Sequence, residues 1–464
     1  MASSRRDLAV RAAVDQGLLS PAEPVVALLD TAGIRASAAA LTSAFAAVTD
    51  APVLHAFAVK ACPLVPVLRL LREAGLGVEV ASPGELALAR AAGVPPADTV
   101  LDSPAKTPAE LRQALALGIA VNADNLQELA RLDALVASAP TASPLGIRVN
   151  PQVGAGSIGA LSTATATSKF GVALRDEGAR KAVVEACLER PWLTRLHTHT
   201  GSQGVPLALM AEGVGEAYAL AEEINHAAGR QQIDTLDIGG GLPVDFHSDE
   251  ETPTYAEYAR LLADTVPGLF DGRYGLVTEF GRSLLAKHGT VLARVEYTKT
   301  SGGRPIAVTH AGVQLATRTV YAPDAWPLRV LAYDSDGRPR TGEVTVQDVA
   351  GPACFAGDLL ATGRALPLLH PGDVVAVPDT GAYYFAHHYA YNSLPRPGIH
   401  GFTVTGGGAG SGNGGAGGDA GGAGSGSDDA GGAGVVAFTT VRKPQTLAEI
   451  VAESGGALAD ALVG

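Results

Sequence analysis

The sequence predicts an α/β fold, a (β/α)8 TIM barrel followed by a C-terminal antiparallel β domain. The chain has 464 residues, of which 47% are hydrophobic and 17% charged, so it can bury a large barrel and a smaller domain. Short β-prone runs alternate with helix-like stretches through the first two-thirds of the chain. From Thr290 onwards, β-prone runs separated by turn residues replace that alternation, which indicates antiparallel pairing.

Eight β-prone runs make up the first part. They are residues 53–61, 77–82, 99–104, 120–125, 145–151, 195–201, 235–241 and 275–281. Between them, residues 83–92, 108–117 and 206–228 show apolar residues at the helical spacing of about 3.6. Strand–helix alternation indicates a parallel sheet with crossover helices, and eight units favour a closed barrel. A doubly wound open sheet shows the same alternation and is the alternative.

The second part is predicted to be a β domain over residues 289–464, with the barrel spanning residues 31–288. Its β-prone runs are residues 290–297, 305–310, 328–333, 342–349 and 373–377. Residues 1–30 form an N-terminal segment. Its β-prone run, residues 24–30, either joins the β domain or adds a strand to the barrel.

A Gly-rich segment interrupts the β domain. Residues 406–434 are almost entirely Gly, Ala, Ser, Asn and Asp, a composition typical of flexible linkers. β-prone residues flank the segment at 400–404 and 435–441. We therefore expect two strands joined by a long flexible loop.

Composition and charge narrow the function classes. A net charge of −13 disfavours nucleic-acid binding, which relies on Lys and Arg at phosphates. The longest apolar stretches fall short of the roughly 18 residues of a membrane helix, and Arg5-Arg6 lacks the apolar run of an export signal. The three cysteines, Cys62, Cys187 and Cys354, cannot form a disulfide framework. We therefore predict a cytoplasmic protein without membrane or nucleic-acid partners.

Lys60 is the first residue whose chemistry stands out. It lies in an otherwise apolar run at the C-terminal end of the first barrel strand, where barrel active sites form. A lysine there either extends to the surface or serves as a functional amine. Burial would lower its pKa, as a Schiff-base nucleophile requires.

Two further strand ends carry candidate anion-binding residues. Gly239, Gly240 and Gly241 follow the seventh strand, and glycines let backbone N–H groups approach a phosphate closely. In barrels, a phosphate site often follows the last two strands. Arg282, after the eighth strand, could hold the same phosphate, whereas Glu279 could face a ring nitrogen or pair with Arg282.

The sixth strand contains two histidines. His197 and His199 are two residues apart and therefore lie on one face of the strand. They could belong to a metal site, although the spacing offers no further ligands, or one could stack on an aromatic cofactor ring. In the β domain, Cys354 and Tyr383 taken alone are more typical of structural positions.

Taken together and in this order, these motifs resemble the fold-type III pyridoxal-phosphate decarboxylases, the diaminopimelate, ornithine and arginine decarboxylase group. Its members combine an alanine-racemase-like barrel with a β domain, and the resemblance covers residues 24–453. The motifs most similar to those of diaminopimelate decarboxylases are Ser168-Lys169-Phe170-Gly171, His199 with Gly201-Ser202-Gln203, and Tyr391-Asn392-Ser393-Leu394-Pro395-Arg396.

The resemblance implies pyridoxal 5′-phosphate as the cofactor. Lys60 would form the Schiff base, His199 would stack on the pyridine ring near Ser202, and Glu279 would pair with the ring nitrogen. A carboxylate there keeps that nitrogen protonated, so the ring can accept the electrons that decarboxylation leaves at Cα. The other implied cofactor contacts are Glu79, Arg148, Gly239, Gly240, Gly241, Gly281, Arg282 and Tyr383.

The resemblance also implies a homodimer with shared active sites. Cys354 would cross the interface and help protonate the carbanion, and Arg318 and Tyr321 would bind the substrate with a spacing one residue short of the family pattern. Phe355 stands where relatives carry Glu or Asp for the distal polar end of the substrate, and an aromatic ring cannot accept a hydrogen bond from an ammonium group as a carboxylate does. Phe280 replaces the usual Pro in Glu-Pro-Gly-Arg.

Four functions therefore remain open. The leading one is decarboxylation of an amino acid in the manner of diaminopimelate decarboxylase, an enzyme of lysine biosynthesis. A divergent relative could instead decarboxylate an amino-acid conjugate in siderophore or other specialised biosynthesis, which Phe355 favours. An inactive cofactor-binding regulator and a metal-dependent barrel hydrolase using His197 and His199 are the remaining alternatives.

Overall fold

The computed structural model describes the backbone of residues 2–405 and 434–458, and side chains over 4–405 and 434–457. The predicted flexible loop, residues 406–434, lies outside the described residues except for Gly434. Within the described part, no helix combines the length and apolarity that crossing a bilayer requires.

Strands and helices alternate through the first part of the chain. In chain order the strands are β1 Val25–Asp30, β2 Val53–Ala58, β3 Gly77–Val80, β4 Thr99–Asp102, β5 Ala120–Ala123, β6 Leu145–Asn150, β7 Val172–Ala173, β8 Leu193–His197, β9 Thr235–Asp237, β10 Gly275–Thr278, β11 Gly289–Ser301, β12 Arg304–Thr309, β13 Leu331–Tyr333, β14 Val344–Ala350, β15 Leu359–Pro367, β16 Val374–Pro378, β17 Gly398–Thr405 and β18 Val435–Arg442. The helices are α1 Ala2–Asp15, α2 Thr31–Ala46, α3 Val65–Glu73, α4 Pro83–Ala91, α5 Pro108–Leu117, α6 Leu126–Ser138, α7 Ala179–Glu189, α8 Leu207–Ala228, α9 Tyr255–Thr265, α10 Arg282–Leu285, α11 Val313–Tyr321 and α12 Leu447–Glu453.

Eight parallel strands close into a barrel. β2, β3, β4, β5, β6, β8, β9 and β10 pair in that order, and β10 pairs with β2 to complete the circle. Each predicted β-prone run of the first part forms one of these strands, so the closed barrel is confirmed over the open sheet. The C-terminal ends of all eight strands therefore meet at one mouth.

Local capping sets where the crossover helices begin. The Thr107 hydroxyl accepts a hydrogen bond from the Glu110 N–H, and the Glu110 carboxylate accepts one from the Thr107 N–H. This capping box starts α5 at Pro108, the residue from which the sequence predicts a helix. Thr254 and Glu257 form the same box at the start of α9.

The second sheet carries the β domain and is mixed rather than purely antiparallel. β1 lies between β11 and β17, antiparallel to β11 and parallel to β17. β12 and β14 also run parallel. The alternative that residues 24–30 add a strand to the barrel is therefore wrong, because both edges of β1 are used in this sheet. β17 and β18, on either side of the Gly-rich segment, pair antiparallel.

The sequence pattern does not indicate two elements of this domain. β15 contains Gly363, with a left-handed φ of 61°, so its apolar residues do not alternate cleanly. α11 is kinked at Ala316, where φ is −115° and ψ is 43°, so its helical period is interrupted. α11 nevertheless matters for the site, because it carries Arg318 and Tyr321.

Phe280 fills an apolar space behind the eighth barrel strand. Its side chain is buried, and its ring centroid lies 5.3 Å from that of Tyr255, 6.1 Å from Tyr258 and 6.4 Å from Phe45. These rings come from α9 and α2, which cover the strand. Phe280 stands where the decarboxylases that the sequence resembles usually carry Pro. Its ring is thus a packing group, and this packing holds the backbone on both sides of Phe280 in place.

Phe280→Ala should lower the free energy of unfolding by about 3–5 kcal/mol, because it leaves a cavity among buried rings. Phe280→Leu should cost less, because it fills part of that volume. Urea unfolding followed by circular dichroism measures both. A loss below about 1 kcal/mol for Phe280→Ala would contradict the tight packing described here.

Candidate active site

Lys60 lies at the mouth of the barrel, in a single 3-10 turn directly after β2. Its Nζ is 2.6 Å from Oε2 of Glu79 on β3, whose side chain is fully buried, while 48% of the Lys60 side chain is exposed. Burial opposes the ammonium charge, but the carboxylates of Glu79 and Glu279 outweigh it and raise the pKa of Lys60. The expectation of a lowered pKa for Lys60 is therefore wrong, because the effect of burial is outweighed by the two carboxylates. Burial raises the pKa of Glu79 to about 8 against the opposing charge of Lys60.

His199 and the Gly-rich turn after β9 meet on the opposite side of the mouth. The Gly240 N–H donates to Nδ1 of His199 at 3.1 Å, so the other ring nitrogen, Nε2, carries the proton. Burial, followed by the charge of Arg148, lowers the pKa of His199 to about 3. The ring is therefore neutral and suited to stacking on an aromatic group.

Glycine is required in this turn for close approach. Gly241 has a left-handed φ of 98°, and a Cβ there would collide with the carbonyl oxygen of Gly201. A Cβ on Gly240 would collide with the carbonyl oxygen of Glu279. The backbones that follow β8, β9 and β10 can pack this tightly only because these positions lack side chains.

A buried chain of charged groups runs beneath the mouth. Nη1 of Arg148 is 2.8 Å from Oδ2 of Asp102, Nδ1 of His197 is 3.4 Å from the same oxygen, and Nε2 of His197 is 3.5 Å from Oε2 of Glu279. All four side chains are buried. Burial disfavours the imidazolium, but the charges of Asp102, Asp237 and Glu279 together raise the pKa of His197 well above its usual value.

The pKa values of the carboxyl groups around His197 shift in opposite directions. Burial raises the pKa of Asp102 and of Glu279, but the nearby cations, His197 foremost, together outweigh burial and lower both values. Burial and the Glu279 charge instead raise the pKa of Asp237, whose oxygens accept hydrogen bonds from Asn122 and from the Gly239 N–H. Glu279 is therefore ionised beside a protonated Asp237.

The Ser168–Gly171 motif supports this chain of charges. The Phe170 ring lies 4.5 Å from the guanidinium carbon of Arg148, and the Gly171 N–H donates to Oδ1 of Asp124. The motif thus orients Arg148 towards Asp102.

A second group of cations lies where the β domain meets the mouth. The guanidinium carbons of Arg282 and Arg318 lie 4.5 and 4.7 Å from the Tyr383 ring and 5.0 and 4.8 Å from the Trp326 ring. Burial lowers the pKa of both arginines, and no carboxylate is among the charges that act on them within the described residues. Tyr383 joins this group to the barrel, because its N–H donates to the Ala61 carbonyl at 2.6 Å.

Cys354 lies farther out, in a loop between β14 and β15, and its side chain is exposed. Its N–H donates to Oδ1 of Asn392 at 2.7 Å. Phe355 stacks on Tyr321 with centroids 5.8 Å apart. The structure thus brings Phe355 and Tyr321 together, and it places Arg318 with Arg282 rather than beside them.

Comparison with known families decides the assignment. Residues 32–286 match the family model of the pyridoxal-dependent decarboxylases, pyridoxal binding domain. The chain belongs to the pyridoxal-dependent decarboxylases. It is therefore a pyridoxal-phosphate-dependent carboxy-lyase with pyridoxal 5′-phosphate as its cofactor.

Similar proteins carry related names. The chain is 34% identical over 352 residues to the diaminopimelate decarboxylase of Pseudomonas aeruginosa, covering 75% of this chain and 81% of the relative. It is 33% identical over 354 residues to the diaminopimelate decarboxylase of Vibrio cholerae, covering 75% of this chain and 81% of the relative. A crystal structure of Helicobacter pylori diaminopimelate decarboxylase complexed with L-lysine has the same fold, with a TM-score of 0.76 at 24% identity, and the match covers 95% of this chain and 99% of that chain. The crystal structure of lysine/ornithine decarboxylase from Vibrio vulnificus complexed with cadaverine has a TM-score of 0.70 at 25% identity, and the match covers 86% of this chain and 97% of that chain.

The decarboxylase site fits its cofactor. Oε1 of Glu279 is buried and has no hydrogen-bond partner among the described residues, as expected of an atom reserved for a ring nitrogen. Nε of Arg282 and Nη1 of Arg318 are likewise buried and unpartnered there, as expected beside an anion.

The metal-site alternative is not supported. His197 does approach two carboxylates, Asp102 and Glu279, in a group that could hold an ion. His199, however, uses Nδ1 to accept from Gly240, and Arg148 places a positive charge against Asp102. A cation there would be repelled, so the group acts as a network of buried ion pairs in the decarboxylase.

Sequence reasoning does not assign four residues of this decarboxylase site. Asp102 and Asp237 each end a barrel strand, a signal that could have placed them at the mouth. Trp326 and His387 lie in irregular segments of the β domain and are brought to Arg318 only by the tertiary fold.

The buried network predicts that the cofactor-free decarboxylase loses stability as pH rises from about 7.5 to 8.5, above the range in which the histidines of the unfolded chain titrate. In this window the folded chain keeps protons on His197 and, in part, on Glu79 with its pKa of about 8, which the unfolded chain has released. The slope is at most about 1.4 kcal/mol per pH unit for each such proton. Urea unfolding at several pH values measures it.

The matched variants are His197→Gln, which should flatten this slope, and His226→Gln, an exposed control that should leave it unchanged. A wild-type stability that stays constant or increases over the window would contradict the network. A slope of stability against pH that is unchanged in His197→Gln would also contradict the network.

Proposed function

We propose that the chain decarboxylates an α-amino acid, with diaminopimelate as the first candidate substrate, and that Lys60 is the residue to which the cofactor attaches. The observation that carries this proposal is the pairing of two features at one barrel mouth. Lys60 is held 2.6 Å from the buried Glu79, and Glu279 keeps a buried, unpartnered oxygen.

Each residue of the mouth then has a task. Lys60 supplies the amine that binds the cofactor through Nζ, with Glu79 able to exchange a proton with it. The neutral His199 ring would cover the cofactor ring, with Ser202 beside it, and Glu279 would accept a hydrogen bond from the ring nitrogen. The phosphate would be held by Arg282 with Gly239, Gly240, Gly241, Gly281 and Tyr383.

The reaction breaks one bond and forms another. The bond between Cα and the α-carboxylate breaks, carbon dioxide leaves, and the electron pair remains with Cα. When bound, pyridoxal phosphate supplies an electron sink for that pair. The Cys354 thiol then gives its proton to Cα, and solvent restores the thiol proton. Because Cys354 is exposed on a single chain, we propose that it serves the site of a second copy in a homodimer.

The substrate end of the site distinguishes two candidates. Arg318, with a buried unpartnered nitrogen, suits a substrate carboxylate, and Tyr321 lies on the same helix. Names of similar proteins favour diaminopimelate. The aromatic Phe355 beside Cys354 favours the second candidate, an amino-acid conjugate of specialised biosynthesis, because it offers no acceptor for an ammonium group. A cytoplasmic location stays a prediction of the sequence.

The proposal predicts carbon dioxide release by the purified protein with added pyridoxal phosphate, on a panel of meso-diaminopimelate, lysine, ornithine, arginine and a citrate-conjugated diamino acid. Lys60→Ala should abolish release, because no other amine takes the place of Nζ. Lys181→Ala, a surface control whose side chain is 79% exposed, should retain it. Turnover of diaminopimelate supports the first candidate, and turnover of the conjugate alone supports the second.

Borohydride reduction gives a readout that does not depend on turnover. Reduced wild type and Lys181→Ala should keep the cofactor label after unfolding, whereas Lys60→Ala should lose it. A label that survives in Lys60→Ala would overturn the role of Lys60. A labelled protein that releases no carbon dioxide from any member of the panel would favour the inactive regulator.

A further inference from the structure

Four aromatic rings form a closed cluster on the β domain. Tyr321 stacks on Phe355 with an interplanar angle of 9°, and Tyr389 stacks on Tyr391 at 13°. Tyr321 meets Tyr389 at 88°, and Phe355 meets Tyr391 at 87°. Neighbouring centroids are 5.8–5.9 Å apart on all four sides. We call this set the aromatic cluster.

Two rings of the aromatic cluster are exposed and the other two are half-buried. Tyr321 is 59% and Tyr391 40% exposed on the single chain, in contrast to buried rings such as Tyr258 and Phe280. Contiguous exposed apolar surface of this kind marks a binding surface more often than it serves stability.

The aromatic cluster adjoins the proposed site at two points. Tyr321 follows Arg318 on α11, and Arg318 lies over the Tyr383 ring whose N–H bonds the carbonyl next to Lys60. Phe355 directly follows Cys354, the proposed proton donor for the site of a second copy, so in the proposed homodimer the aromatic cluster lies where the two sites are shared. The far end of a substrate held at Lys60 and reaching past Arg318 would meet Tyr321 of the same chain and the ring stacked on it.

The position of the cluster is fixed by the loops that carry it. The Cys354 N–H donates to Oδ1 of Asn392, and the Tyr391 hydroxyl lies 3.4 Å from the Cys354 carbonyl oxygen. At the base of the Cys354 loop, the buried Asp358 carboxylate accepts from the N–H groups of Val313 and Ala353. The rings are therefore presented on a preorganised frame, which lowers the entropy cost of binding.

Charge around the aromatic cluster decides what it accepts. The acid in its frame, Asp358, is buried and occupied by two backbone donors, so it offers nothing to a ligand. Arg318, which precedes Tyr321 on α11, and its neighbour Arg282 have no carboxylate among the charges acting on them in the described residues. A distal ammonium group would lose its hydration there, gain no carboxylate and face two guanidinium groups.

We propose that the aromatic cluster recognises the distal end of the amino-acid substrate and selects an uncharged apolar or planar group over a second ammonium group. This rests on the proposed function, because it assumes that the α-amino end of the substrate lies at Lys60. Stacking on Phe355 and Tyr391 supplies the affinity, and the Tyr389 hydroxyl, which accepts a hydrogen bond from the Tyr321 hydroxyl, can donate its own proton to an acyl oxygen.

The test compares ligands that share one carbon chain. Dissociation constants of the holoenzyme are measured from the change in cofactor absorbance with L-lysine, Nε-trimethyl-L-lysine and Nε-benzoyl-L-lysine. The benzoyl compound should bind at least about tenfold more tightly than lysine, the scale of one to two aromatic contacts. Equal or tighter binding of lysine would overturn the proposal. Tightest binding of the trimethyl compound would also overturn it, because the rings would then be a cation site.

Two variants separate recognition from folding. Phe355→Leu should weaken binding of the benzoyl compound about tenfold and change lysine binding less than about twofold, because it removes a ring and keeps an apolar side chain. Tyr297→Leu removes an exposed ring elsewhere, on β11, and should change neither. An equal effect of Phe355→Leu on both ligands would contradict the proposal.

The borohydride label and the ligand preference test the proposed function and the role of the aromatic cluster separately. A holoenzyme that carries the borohydride label at Lys60 but prefers lysine overturns only the role of the aromatic cluster. A chain that takes up no pyridoxal phosphate overturns both.

Discussion

A positively charged imidazole held between two buried carboxylates is the constraint on which the barrel mouth depends. His197 lies between Asp102 and Glu279, and Arg148 closes the row on the far side of Asp102. The four charges sum to zero, which is why they can be buried together: each ion has an opposite charge within 3.5 Å. Removing one member would leave an uncompensated buried charge. The row also lowers the pKa of Glu279, which favours the ionised form that its proposed role beside a protonated pyridine nitrogen requires.

Backbone crowding fixes where these charges sit. The turns after β8, β9 and β10 pack so closely that Gly240 and Gly241 cannot carry a Cβ. The same crowding brings the Gly240 N–H to Nδ1 of His199, which accepts its hydrogen bond. Two histidines separated by one residue thus have pKa values shifted in opposite directions. Carboxylates raise the pKa of His197, whereas burial and then the charge of Arg148 lower the pKa of His199.

Much of the fold follows from the sequence, because the barrel rhythm is local. Each β-prone run of the first part is short, and several of the helices between the runs begin at a cap that the sequence shows, as at α5, so most units can be recognised from their own residues. The β domain is harder to predict from the sequence. β15 contains a left-handed Gly363, and the place of β1 between β11 and β17 depends on pairing between distant segments. The candidate site divides in the same way. Lys60 and Glu279 stand at strand ends and can be recognised there, whereas the approach of Arg318 to Arg282 and the ring contacts of Tyr389 depend on the tertiary fold.

The charge state of His197 is the most direct test of this account. Nitrogen-15 NMR of protein labelled at histidine, with resonances assigned by comparison with His197→Gln and His199→Gln, reports protonation of each ring. The account predicts that His197 is doubly protonated at pH 7 and stays so well above the usual histidine pKa of about 6.5, while His199 is neutral at the same pH. A neutral His197 at pH 7 would contradict it, because the buried carboxylates would then lack the cation that keeps Glu279 ionised.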